Sequence, residues 1–314
     1  MKQSTFTPFV ITATAIVVIG LIALAPMPRN IYSYAVRSTM DMGHFFAFGL
    51  LVIFCLAVLR THTSDKLAYL IAIVFTSSLV LLIELIQPWF GRTAALGDVL
   101  TSYLGIITCI SIYHVWRNPF KKRWLKWGHI IVVACIVIAI ASPAITAWYS
   151  IFWRIQQGPM LGNFEKNVEL QFWRPNQVGK NAARITLSDD VAYTGYHSLK
   201  IMAGNTRWSG VTYYAENENW QPYRTLSFHI YNPGEKLTVS MRIDDNGDTE
   251  HYTGRFNKSF VVQQGWQKIS IPIEEIAHGP KKRIMNMRAI TQVLFFISIN
   301  NKTRIFYLDN VHLE

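Results

Sequence analysis

Residues 226–247 read LSFHIYNPGEKLTVSMRIDDNG. Leu226, Phe228 and Ile230 alternate with Ser227, His229 and Tyr231; beyond Asn232-Pro233-Gly234, Leu237, Val239, Met241 and Ile243 alternate with Thr238, Ser240, Arg242 and Asp244. A period of two is that of a strand with one buried face, and Asn-Pro-Gly and Asp245-Asn246-Gly247 are turn chemistry. The pattern recurs downstream. Ile269, Ile271 and Ile273 share a face, with Gln264-Gly265 as the turn before them, and Val293, Phe295, Ile297 and Ile299 alternate with Leu294, Phe296, Ser298 and Asn300. Many short strands separated by such turns predict an antiparallel all-β sandwich of jelly-roll type over residues 163–314. Cys55, Cys109 and Cys135 all lie before it, so its stability comes from a packed core without disulfides.

The first half is built differently. Up to Gly162 its only acidic residues are Asp41, Asp65, Glu84 and Asp98. Apolar runs stand near Phe9–Ala25, His44–Leu59, Leu67–Gln87, Gly97–Trp116 and His129–Trp148. A membrane-spanning helix needs roughly 20 residues. The runs therefore predict an α-helical transmembrane bundle of about five helices over residues 1–155, followed by a linker at 156–162. Ser102, Thr108 and Ser111 mark the fourth run as one packed inside the bundle. Lys2, the first run and Ala23-Leu24-Ala25 also have the layout of a signal peptide; a retained helix is the expectation.

Loop charge gives the orientation. With the N-terminus in the cytoplasm, inner segments hold Lys2, Arg60, Lys66, Arg117, Lys121, Lys122, Arg123 and Lys126, and outer loops hold Arg29, Arg37 and Arg92. The inner excess of cations favours this arrangement. An odd number of spans then places the C-terminal half outside, in the periplasm or at the cell surface of a bacterial cytoplasmic membrane. The net charge of +11 is not read as nucleic-acid binding, because the densest basic run, Lys121-Lys122-Arg123 with Lys126, sits between two apolar runs.

That topology gathers polar residues at the outer face. Asp41 and His44 are expected to open the second helix. Glu84 and Gln87 share a face near the outer end of the third. Arg92 follows in the loop, and Asp98 starts the fourth. Intramembrane ionisable groups are costly and normally paired, and Arg92 is the partner to expect for Glu84 or Asp98. Asp41-Met42-Gly43-His44-Phe45-Phe46, Glu84-Leu85-Ile86-Gln87, Arg92 and Asp98 together resemble the VanZ-like membrane family over about residues 10–150. The resemblance implies a role at the bacterial envelope, typified by glycopeptide (teicoplanin) resistance, without an established reaction. The cluster admits three roles: a structural network fixing helix register; a site for an anionic or sugar-bearing envelope lipid, with Arg92 on phosphate and Glu84, Gln87 and Asp98 on hydroxyls; or catalysis, with Asp41, His44, Glu84 and Asp98 as acid and base or as ligands of a divalent ion. No H-E-x-x-H, G-x-S-x-G or C-x-x-C is present, so no enzyme class is marked.

In the second half, Gly195-Tyr196-His197-Ser198-Leu199-Lys200, Leu226-Ser227-Phe228, Gly265-Trp266-Gln267-Lys268 and Tyr307-Leu308-Asp309-Asn310-Val311 resemble carbohydrate-binding modules of the galactose-binding-like type. The resemblance implies a jelly-roll sandwich, and a structural Ca2+ held by Glu165, Asp309 and the Lys200 carbonyl. On the residues alone, alternation puts His229, Tyr231, Arg242, Asp244, Arg255 and Asn300 on one non-core side. Tyr231, Arg242, Asp244, Arg255, Phe296 and Asn300 are the candidate glycan-binding set, aromatic faces for sugar C–H groups with planar polar groups for hydroxyls. A solvated sheet face is the plainer alternative for each. Trp208, Tyr213 and Tyr214 read as core or rim. The expectation is a multi-pass envelope protein that binds a polysaccharide, peptidoglycan or lipid-linked sugar, with membrane lipids around its helices and no nucleic acid. The alternatives are a membrane enzyme acting through the outer carboxylates and His44, and a scaffold for an envelope machine.

Overall fold

The computed structural model describes residues 33–90, 94–177, 179, 182–247, 251–297 and 304–314. The chain divides into two compact units, Met1–Trp148 and Tyr149–Glu314.

The first unit is helical: α1 (Ser33–Leu59), α2 (Asp65–Ile86), α3 (Leu96–Arg117) and the greater part of α4 (Arg123–Gln156). Each is long and apolar enough to cross a membrane. They carry the last four apolar runs; the first, Phe9–Ala25, lies outside the described residues. Helix α1 starts well before its apolar run, so Asp41 and His44 lie two to three turns inside it instead of opening it. Its first turns are polar, and hydropathy does not see them. Thr39 Oγ1 donates to Ala35 O at 2.7 Å and accepts from Trp148 Nε1 at 2.9 Å.

Helices α1 and α3 approach backbone to backbone. A Cβ at Gly105 would stand 2.1 Å from Phe45 O, and one at Gly49 would stand 2.6 Å from Cys109 Sγ. Small residues at such crossings replace side-chain bulk with close van der Waals contact. Ser102 and Thr108 are buried, as the fourth run predicted, along with Thr76 and Gln87. Leu70, Leu81, Leu85, Ile131 and Ile138 are exposed. The unit thus pairs a core of Phe48, Leu51, Val52, Leu56 and Ile106, into which a few polar side chains are set, with an exterior that is also rich in leucine and isoleucine.

The second unit is an antiparallel β-sandwich. A six-stranded sheet runs β3 (Arg184–Ser188), β4 (Ser198–Ala203), β11 (Arg304–Leu313), β6 (Thr225–Asn232) and β9 (Gly265–Pro272), with β1 (Met160–Gly162) also pairing β11. A five-stranded sheet runs β2 (Trp173–Pro175), β5 (Ser209–Glu218), β10 (Ile290–Ile297), β7 (Leu237–Asp245) and β8 (Phe256–Val262). The period-two stretches at 226–231 and 237–244 are β6 and β7, and they fall in different sheets. Their inward residues meet in one core, where Phe228 packs edge-on against Phe295 at 4.9 Å between centroids and Trp173 stacks 6.1 Å from Phe295. Ile273, expected on the β9 face, is buried at the start of a short helix, α5 (Ile273–Ala277).

Two buried ion-pair networks brace the sandwich. Arg154, at the end of α4 and within the second unit, donates to Tyr213 Oη and Glu218 Oε1, both at 2.6 Å, and to the carbonyls of Gly158 and Met160. At the end of β7, Asp245 takes a two-pronged bond from Arg283, 2.6 Å on each side, and accepts the amides of Asn286 and Gly247. Burial alone would raise the Asp245 pKa, but Arg283 and then these amides outweigh it and hold it below the usual carboxylate range. A depressed folded pKa contributes stability above the unfolded value, about 4, and that stability is lost as pH falls through the folded value. Removing one partner of a buried pair costs about 3 kcal/mol. Arg283→Met is therefore expected to lower the unfolding free energy of the sandwich by about that amount at pH 7 and to flatten its loss of stability below about pH 4, read by denaturant titrations across pH.

Candidate functional site

The outer face of the five-stranded sheet carries a cleft of about 400 Å³. Its floor follows from strand register. Phe295 points into the core, so Leu294 and Phe296 point outward. Leu294 lies opposite Arg242 of β7, itself opposite Asn257 of β8; Phe296 lies opposite Ser240, itself opposite Ser259. On its other side Phe296 faces Gly210 of β5. A Cβ there would come within 1.9 Å of Phe295 O, so the position requires glycine and leaves the floor beside Phe296 bare.

Asp244 organises the polar end. It is fully buried, takes Arg242 Nε at 2.8 Å and Arg242 Nη2 at 2.6 Å, and so fixes the guanidinium plane at the cleft. The walls come from loops. On the β5 side stands Trp208, 54% exposed, with a left-handed backbone (φ 57°). Asn176 holds that turn, its side-chain amide donating to Trp208 O and its Oδ1 accepting from Gly210 N at 2.9 Å. Gln177 Nε2 donates to Arg207 O at 2.6 Å. On the β7–β8 side stands Tyr252, 67% exposed, with the Arg255 guanidinium 5.9 Å from its ring centre. Aromatic faces at the walls and planar donors on the floor suit a flat ring with C–H faces and equatorial hydroxyls.

Of the sequence-derived glycan set, the structure brings Arg242, Arg255 and Phe296 to this cleft, with Asp244 behind Arg242. Tyr231 is not among them. It lies in β6 of the other sheet, between Trp266 and Tyr307, and His229 is there too. Alternation distinguishes in from out within a strand, not one sheet from the other. Asn300 lies outside the described residues. Trp208, read as core or rim, stands at the cleft wall, and Tyr252 was not singled out; both lie in turns where no periodicity applies. Tyr213 is core, as expected, and Tyr214 is on the rim with Arg174 over its ring.

His44, Asp98 and Ser102 of the helical unit also converge. His44 Nε2 lies 3.8 Å from Asp98 Oδ2, and its Nδ1 lies 3.5 Å from Ser102 Oγ. Ser102 Oγ donates to Asp98 O at 2.8 Å, and Glu84 Oε1 accepts the Ala95 amide. Gln87 is fully buried, and neither atom of its side-chain amide has a partner among the described residues. Arg92 lies outside them.

A two-sheet sandwich with an aromatic, guanidinium-lined cleft on one sheet face has the architecture of a carbohydrate-binding module. Residues 160–314 match the family model Carbohydrate binding domain 30, and the C-terminal half is a CBM30-like carbohydrate-binding β-sandwich. Among solved structures, it is similar to the family 11 carbohydrate-binding module from Clostridium thermocellum in complex with a β-1,3-1,4-mixed-linked tetrasaccharide, at 18% identity and TM-score 0.40, over 49% of this chain and 94% of that one. It is also similar to the CBM22-1 xylan-binding domain from Paenibacillus barcinonensis Xyn10C, at 13% identity and TM-score 0.34, over 50% of this chain and 94% of that one. No curated protein matches the chain.

The residues named for calcium do not fit that ion as they stand. Glu165 Oε1 accepts the Tyr196 and His197 amides at 2.8 and 3.0 Å, and its Oε2 lies 3.4 Å from His197 Nδ1. Asp309 Oδ2 accepts the Tyr193 and Thr194 amides at 2.7 and 3.0 Å, and Oδ1 accepts the Asn310 amide. Burial pushes Asp309 above its ordinary pKa, and these amides offset that only in part. Lys200 lies within β4 between Thr186 and Tyr307. Calcium needs six to eight oxygens, whereas these carboxylates are directed at N–H groups and serve as anchors for the 193–197 loop. An ion present at a hundred times its Kd would add about 2.7 kcal/mol. Chelation by EDTA is instead expected to leave the melting temperature within about 1 °C, while Asp309→Asn lowers it and loosens amide exchange at 193–194.

Proposed function

We propose that this chain is a membrane-anchored receptor for an envelope or extracellular polysaccharide, which the sandwich grips in the Trp208–Phe296–Tyr252 cleft. The observation that carries this reading is the convergence on one sheet face of two exposed aromatic walls with two guanidinium groups, one of them fixed by a buried carboxylate. Rings stack on sugar C–H faces, and the Arg242 fork bonds paired hydroxyls. The relatives found bound to a mixed-linked tetrasaccharide or named for xylan suggest β-linked glycans as first probes. Four helices long and apolar enough to cross a membrane, with leucine and isoleucine on their exposed faces, support insertion in a bilayer. The cation bias of the loops supports an extracytoplasmic sandwich, and the VanZ-like resemblance of residues 41–98 supports a bacterial envelope setting.

A second reading concerns the helical unit. A buried amide without a partner costs about 1–3 kcal/mol, so Gln87 beside Glu84 favours a polar headgroup, phosphate or sugar, as a ligand of the His44–Asp98–Ser102 cluster. Native mass spectrometry of the purified protein tests it: Gln87→Leu is expected to lose a co-purifying lipid that wild type retains, and equal lipid on both would exclude it.

For the cleft, the full-length protein in detergent is run through gels containing mixed-linkage β-glucan, xylan or solubilised peptidoglycan. Trp208→Ala with Tyr252→Ala is expected to weaken retardation by the bound polymer at least tenfold, with melting unchanged. Retardation equal to wild type would refute the cleft as the site. A reporter active only in the cytosol, fused behind Glu314, is expected to be silent.

A further inference from the structure

The outer face of the six-stranded sheet carries a feature that the cleft does not use. Register sets four side chains in one row across it: Lys200 of β4 opposite Tyr307 of β11, Tyr307 opposite Tyr231 of β6, and Tyr231 opposite Trp266 of β9. Adjacent rings are in contact, with centroids 5.7 Å apart for Tyr231–Tyr307 and 5.2 Å for Tyr231–Trp266, and Lys200 Nζ stands 5.7 Å over Tyr307. Three strand spacings make the row roughly 14 Å long, about the length of three sugar rings. Tyr193, 48% exposed, extends it, stacked at 3.5 Å on His229 and edge-on to Trp266 at 5.7 Å.

This platform is held in place. The loop bearing Tyr193 is pinned to the sheet by Asp309 and Glu165 through the amides of residues 193, 194, 196 and 197. Beneath Tyr193, His229 is buried, and neither ring nitrogen has a hydrogen-bond partner among the described residues. Burial, then Lys268 and His312, hold its pKa below the ordinary imidazole value, so at neutral pH it offers one donor and one acceptor. The two lysines beside the row are already matched. Lys200 bonds Asp190 at 2.5 Å, and Lys268 lies 3.6 Å from Glu314. Tyr307 is buried and its hydroxyl donates to Asp190 at 3.0 Å, so the accessible part of the row is the half-buried rings of Tyr231 and Trp266 beside Tyr193, a surface that suits a neutral polyol over an anionic lipid or an acidic peptide.

We propose that this face is a second glycan platform, on which a neutral β-linked polysaccharide chain lies across Tyr231 and Trp266 beside Tyr193. The sandwich would then grip polysaccharide on both of its outer faces. The inference rests on residues separate from the cleft, so the two can fail separately.

The test uses full-length protein in detergent on mixed-linkage β-glucan and xylan, comparing Tyr231→Ala with Trp266→Ala, the loop variant Tyr193→Ala, and the cleft variant Trp208→Ala with Tyr252→Ala. Tyr193 lies in a loop, so its variant stays informative if the sheet double variant melts early. The expected result is a fivefold or greater loss of polymer binding in the Tyr231 and Tyr193 variants, and residual polymer binding in the cleft variant. Complete loss of binding only when both faces are altered supports two platforms. Binding equal to wild type in the Tyr231 and Tyr193 variants would overturn the proposal and leave the cleft standing. Loss confined to these variants, with the cleft variant unaffected, would uphold this face and overturn the cleft. The proposal is also overturned if wild type binds neither polymer, or if these variants change only vesicle flotation or self-association.

Discussion

The sandwich depends on one constraint: successive residues of a strand point to opposite sides. Phe295 fills the core against Phe228 and Trp173, and that position obliges Phe296 to face out onto the cleft floor. In β7 the alternation that buries Met241 and Ile243 presents Ser240 and Arg242. In β6 the alternation that buries Phe228 and Ile230 presents Tyr231 outward. Core and binding surfaces are thus written in the same residues, one register apart. A slip of one position would exchange them. Burial of a Phe side chain is worth about 1.5–3 kcal/mol, so the core enforces the register, and through it the placement of Arg242 and Phe296.

Periodicity organises strands but not the turns between them, and there the protein uses carboxylates. Asp245 gathers Arg283 and the 283–286 segment, and Asp309 and Glu165 gather the 193–197 loop. Asp244 aims Arg242. Each is an acceptor with several lone pairs, able to hold more than one N–H at once, and each would be costly to bury unsatisfied. Such an anchor fixes a loop without needing a long apolar contact, which short turns cannot supply.

This division explains what was legible beforehand. Strands β6, β7, β9 and β10 could be read because each buries one face, and helices α2 to α4 because they are apolar over enough length. Arg242 and Phe296 were legible as outward residues of such elements, and Arg255, which precedes β8, was grouped with them. Trp208 and Tyr252 were not, because a turn residue's orientation depends on partners distant in sequence, such as Asn176 for Trp208. Tyr231 was correctly read as outward but grouped with the wrong surface, since a sandwich has two outsides and only strand order tells them apart. The polar start of α1 was missed for a related reason: Ser38 and Asp41 break the hydropathy, while the helix continues through the contact of Thr39 with Trp148. Gly49 and Gly105 gave no signal at all, because a close crossing of helices is a property of the pair.

Set in the proposed bilayer, the helical unit would apply the same logic with the solvent exchanged. Among the apolar side chains of its buried seam stand glycine, serine, threonine and histidine, and its exposed faces take leucine and isoleucine. In water, an exterior of that kind would be a large apolar patch. In the proposed bilayer setting it would cost nothing, and the few buried polar side chains would be the specific part. The proposed anchorage would also change what the sandwich must achieve. A cleft of about 400 Å³ accepts only a few sugar rings, and a single contact of that size is weak. A module fixed at a surface meets a polymer that presents the same unit repeatedly, so each further contact forms at high effective concentration and avidity rises without a larger site. Shallow recognition surfaces are then sufficient, and a fold that offers a side-chain row on each outer face is well matched to that regime.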